Sequence, residues 1–259
     1  MKSRVLLVAL AAAVMVLSSP ALAAPPEAPK VSTFAPAEDL VSQTDRYLEE
    51  LEKAVESQQD FDEAKVTKLG NTLMVISIGL GLHDTDNKYK SSASAMFKAA
   101  EELAKAKGYA AAKKGVEAVK AAAAGGSGGS PLSWSQGNEV DLDALNKQAQ
   151  TAINSLKRYT KPERFKKGAK QTAGLAAVLA VIGQGAMGHT KHPKGEEQFQ
   201  QWYKFSTEMR DAAAEVNKAI HASDASATGK LVKKLNKTCE DCHAVFHKEA
   251  QKQEEEKEK

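Results

Sequence analysis

The chain has 259 residues, 36 basic and 33 acidic side chains and a formal net charge of +3. Setting Lys2 and Arg4 aside with an N-terminal leader leaves 34 against 33. That balance gives no basic surplus for nucleic acid. About 236 residues remain after the leader, enough for one or two domains.

Residues 1–23 read as a secretory signal. Lys2 and Arg4 charge its start, residues 5–17 form an apolar run of 13, and Ser18, Ser19 and Pro20 break it. Ala21, Leu22 and Ala23 supply the small residues of a cleavage site. The run is too short to span a bilayer. The expected product is periplasmic or otherwise exported, with no membrane segment left after cleavage. Residues 24–36 are rich in proline and alanine and read as an extended, mobile lead.

Residues 37–124 carry helical spacing. Leu40, Tyr47, Leu48, Leu51 and Val55 predict one helix, and a second covers 69–80. Met96, Ala99, Ala100 and Leu103 predict a third, and the alanine-rich stretch 109–124 a fourth. Residues 125–138 are dense in glycine and serine and read as a linker at a domain boundary. Residues 139–249 repeat the plan. Leu142, Leu145, Ala149, Ala152 and Leu156 mark the first helix; Phe165, Ala169, Thr172, Ala176 and Leu179 mark the second, with Pro162 near its start. Gly183, Gly185 and Gly188 read as its end. Phe199, Trp202, Ser206, Met209, Ala213, Val216 and Ile220 mark the third, and Leu231, Leu235, Cys239, Cys242 and Phe246 the fourth. Residues 250–259 form a charged tail. No alternating strand pattern is present. The expected fold is all-α, with two tandem antiparallel four-helix bundles.

The halves align at an offset of 106 residues. Leu69, Leu73, Val75 and Ile76 fall on Leu175, Leu179, Val181 and Ile182, and Gly79 and His83 fall on Gly185 and His189. A glycine and a histidine in register favour duplication over chance.

The chemistry concentrates at Cys239, Cys242 and His243, a C-x-x-C-H run holding both cysteines of the chain. This is the attachment signature of a c-type haem. The thiols bond to the vinyl groups and the histidine ligates the iron. At i, i+3 and i+4 of a helix the three share one face. His247 extends the run to a conceivable zinc set, but four ligands on two turns close badly. A redox dithiol belongs beside a strand, and an i, i+3 disulfide would staple almost nothing.

With the motif in a last helix near the C-terminus, the second half resembles the cytochrome c′ family of four-helix c-type cytochromes. The resemblance covers residues 139–249 and implies one haem c per chain, held by Cys239 and Cys242 and ligated through its iron by His243. Phe246 matches the family's aromatic position, while His247 stands where the family has a basic residue. Family members often dimerise through their first two helices. A homodimer, or a pseudo-dimer within one chain, follows from that. A redox partner protein is also implied.

Bundle topology brings early helix residues 142–149 and the connection 186–194 near the haem. The sixth iron ligand is then Met187, His189, His192 or none, with Met209 and His221 poorer candidates. Leu142 and Leu145 favour none. At the repeat offset Cys239–His243 fall on 133–137, where no cysteine occurs, so residues 37–124 read as a degenerate repeat without haem. There His83 reads as a polar surface group. The functional expectation is electron transfer, with binding of small gases such as NO or CO as the alternative. A third reading makes the first bundle a docking module. No nucleophile or paired-carboxylate arrangement points to an enzyme.

Overall fold

The computed structural model describes residues 24–257, without the side chains of 162 and 247–257. The signal reading for 1–23, the His247 readings and the side chains of the tail lie outside the described residues. All regular structure among them is helical: α1 Ala37–Ala54, α2 Glu63–Gly81, α3 Ala93–Ala104, α4 Gly108–Ala123, α5 Leu142–Tyr159, α6 Pro162–Ala186, α7 Gly195–His221 and α8 Ala225–Lys257. No helix among the described residues is long and apolar enough to cross a membrane.

Local chemistry explains the helix starts. Asp62 accepts from the Lys65 amide at 3.0 Å and caps α2. Asp141 accepts from the Asp143 and Ala144 amides and caps α5. Pro162 opens α6 at a position where its missing N–H costs nothing. Ser223, at φ 57°, turns the chain between α7 and α8.

Successive helices pack side by side as two four-helix units, α1–α4 and α5–α8, each closed by its first and last helices. The units are not separate bodies. Helix α1 lies on α6, α2 lies on α5, and α2 meets α6. One apolar core runs from Val31 to Leu235 through both halves. Helices α2 and α6 are therefore sandwiched, which explains why their apolar residues run almost without a break.

The contact is reciprocal. A Cβ on Gly79 would meet the Val181 methyl groups at 3.1 Å, and a Cβ on Gly185 would meet Val75 Cγ2 at 2.5 Å. Gly79 and Gly185 are register mates, and so are Val75 and Val181. Each half thus sets its valine onto the other half's glycine, as an isologous two-fold interface would. Polar contacts add to it. Asp39 on α1 accepts from Asn217 Nδ2 and contacts His221 Nε2, both at 2.7 Å. Gln148 Nε2 donates to Tyr47 Oη at 2.6 Å.

Four expectations need correction. Residues 31–35 are docked, not mobile: Val31, Phe34 and Ala35 are buried, and Ser32 bonds Asp84 through its amide and hydroxyl. Gly183 and Gly185 do not end α6 but lie inside it. A Cβ on Gly183 would meet the Arg210 amide nitrogen at 2.7 Å, so the glycine permits close crossing with α7. The stretch 125–138 is only partly a linker. Residues Trp134–Glu139 form a 3-10 turn packed on α6, with Gly137 tight against the Gly185 carbonyl. His83 is buried, not at the surface. Its Nδ1 accepts from the Thr85 amide at 3.0 Å and its Nε2 donates to the Ala35 carbonyl at 2.9 Å.

Candidate functional site

The buried stripe of α8 is Val232, Leu235 and Phe246, with Cys239 and Cys242 half-buried between them at 3-4 spacing. The cysteines hold positions that a sealed bundle would give to leucine or valine. His243 is exposed and one turn beyond Cys239. All three line one cleft at the end of the second unit.

The other walls come from the three neighbouring helices. Leu142, Asn146, Ala149 and Ile153 line the cleft from α5, Ile182 and Ala186 from α6, and Trp202, Phe205 and Met209 from α7. The up-down order of the bundle places the start of α5, the end of α6 and the start of α7 beside the end of α8. Aromatic contacts hold that end together. Trp202 Nε1 donates to the Ala186 carbonyl at 2.7 Å, satisfying a terminal acceptor of α6. Phe246 meets Trp202 and Phe205 edge-to-face, at 5.0 and 6.3 Å between ring centres. These residues form a small apolar cluster apart from the main core.

Burial raises the pKa of the Cys239 thiol, and burial with the neighbouring Cys239 raises that of Cys242 to about 12. Both stay protonated at neutral pH, and neither is in a disulfide. A reactive dithiol needs a thiolate, so this environment weighs against that chemistry. Two neutral thiols and an imidazole on one face of an apolar cleft fit the donor set of a covalently held haem.

The distal candidates fall differently from expectation. Leu142 and Ala149 line the cleft, whereas Leu145 faces the core. Met187 is buried, and its Sδ accepts from Gln184 Nε2 at 3.6 Å. His189 and His192 line a different cavity, on the side facing α2. His221 lies at the far end, on Asp39. Met209, set low because it belongs to the apolar stripe of α7, is the methionine that lines the cleft. Asn146, which lines the same cleft from α5, carries no spacing signal and was missed. The signal for Met209 was its alternation with Trp202 and Ser206, which line the same wall.

His189 is 1% exposed, and neither ring nitrogen has a hydrogen-bond partner. Burial, then His192 and Lys191, depress its pKa from 6.5 to about 4. The unfolded chain therefore binds a proton at this residue between pH 6.5 and 4 that the folded chain does not. Stability from this group is full above pH 6.5 and is lost as pH falls towards 4. The maximum loss is about 3 kcal/mol. With a chelator present, His189→Gln should flatten the fall of urea stability across that window. An unchanged slope would contradict the assignment.

Set against family models, curated proteins and solved structures, the chain matches none.

Proposed function

We propose that the chain is an exported c-type cytochrome that carries one covalent haem and transfers electrons. The observation that carries this reading is the convergence of Cys239, Cys242 and His243 on one apolar cleft. Cys239 and Cys242 would hold the group through thioether bonds, and His243 would give its iron a nitrogen ligand. When bound, the haem supplies a one-electron iron couple. Ile153, Ile182 and Ala186 keep water from one side, and burial of this kind is a lever on potential. The cleft as it stands measures ≈70 Å³. Ligand pockets usually measure about 300–1,000 Å³. Attachment therefore requires the side chains lining the cleft to move apart.

A second reading, binding of NO or CO, is favoured by the α5 wall. Leu142, Ala149 and Ile153 can give iron no ligand. Electron transfer needs no sixth ligand, so the two readings separate by measurement. We expect a high-spin, five-coordinate ferrous spectrum that Met209→Ala leaves unchanged. A low-spin spectrum lost in Met209→Ala would assign Met209 as the sixth ligand and exclude the open site. Reversible one-electron titration with weak CO affinity supports the carrier; tight CO or NO binding without reversible titration supports the gas reading.

A further inference from the structure

We propose that His189 and His192, with Asp141, form a binding site for one first-row divalent transition cation of the copper or zinc class. The site is independent of the haem reading. Its starting point is an imbalance between register mates. His83 uses both ring nitrogens, on Ala35 and Thr85. At the offset of 106 those partners become Asp141 and Lys191, and His189 keeps its burial but has no hydrogen-bond partner at either nitrogen. A buried polar group left in that state calls for a partner, and an ordered water or an ion can supply it.

The surroundings point to a cation. His189 and His192 both line a cavity of ≈420 Å³, and the His189 ring must turn for a covered nitrogen to reach it. Four carboxylates and two lysines share its wall: Glu101, Glu139, Asp141 and Asp143 against Lys105 and Lys191. Glu101 is already paired with Lys105, and Asp143 with Lys147. Asp141 caps α5 through Oδ1 and lines the cavity, and its charge is felt at His189. Burial lowers the pKa of both histidines, so each is a neutral imidazole with a lone pair to give.

The ring centres of His189 and His192 are 6.4 Å apart. With metal–nitrogen bonds of about 2.1 Å, two imidazoles on one tetrahedral ion place their centres about 5 Å apart. No three His, Cys, Asp or Glu side chains among the described residues already stand in a metal-holding group. Binding therefore draws His192, half-buried and stacked on Trp202, inward by about an ångström.

The test uses the full chain, with any thiol that carries no haem alkylated first, so that Cys239 and Cys242 cannot contribute. Cu²⁺ is titrated by equilibrium dialysis and read by electron paramagnetic resonance. The expected result is one Cu²⁺ per chain with hyperfine structure from two imidazole nitrogens. His189→Gln should abolish it, and His192→Ala and Asp141→Asn should each weaken it at least about tenfold. Should His189→Gln fail to fold by circular dichroism, His192→Ala decides alone. No stoichiometric copper, or a copper signal that both histidine variants leave unchanged, would overturn the site and leave trapped water as the partner of His189.

Discussion

Replacing Cys239 and Cys242 together with alanine should remove every trace of covalent haem from the chain produced in an exporting, haem-attaching host. The expected loss is complete, because no other cysteine exists to form a thioether. The fold should survive. Val232, Leu235 and Phe246 still bury the α8 stripe, and the change deletes only two half-buried sulfur atoms. Each deletion costs on the order of 1 kcal/mol. Either single replacement keeps one thioether and should retain a fraction of the haem. His243→Ala should behave differently: the haem stays attached, but the native spectrum is lost because the iron has lost its nitrogen ligand. Haem staining on denaturing gels separates the two outcomes. Covalent haem on the double variant would place the attachment elsewhere.

Gly185→Leu should weaken the contact between the two halves strongly. Its Cβ alone would stand 2.5 Å from Val75 Cγ2, in a contact sealed between α2 and α6. Overpacking of this kind costs about 1–3 kcal/mol and occasionally more. A loss of 3 kcal/mol lowers the melting temperature by roughly 6–12 °C in a chain of this size. Gly79→Leu meets Val181 at 3.1 Å and should cost somewhat less. Adding Val75→Ala should restore part of the stability lost in Gly185→Leu and none of that lost in Gly79→Leu, since each valine faces only one of the glycines. Thermal unfolding of the four variants checks this. Equal rescue of both, or no loss in either, would contradict the reciprocal interface.

The helices were legible because burial at 3-4 spacing is a local property, visible in the stripes of α1, α5, α7 and α8. The reciprocal contact was half legible. The offset of 106 paired Gly79 with Gly185 and Val75 with Val181, but only the structure shows that the pairs cross between halves. What stayed hidden depends on distant partners. Val31 and Phe34 sit in a proline-rich stretch, yet Phe34 meets Trp134 of the connecting stretch and Arg210 of the second half. The glycines of α6 look like helix stops until α7 and α2 are seen to press against them. His83 and His189 are alike in sequence, and only their surroundings separate a satisfied imidazole from one with no hydrogen-bond partner. The C-x-x-C-H set was the most legible of all, because one helical turn fixes its geometry without help from the fold. Which methionine shares its cleft is set by how α7 crosses α8, and that favoured Met209 over Met187.

Covalent haem attachment is decided by the intact mass and the visible spectrum of the unaltered chain, purified from an export-competent host that attaches haem. The expected product has lost residues 1–23 and gained the mass of one haem. That haem should stay bound through denaturation, with a reduced pyridine spectrum of the thioether-linked type at one haem per chain. A colourless chain of unmodified mass, or one that takes up stoichiometric zinc through Cys239 and Cys242 instead, would contradict it.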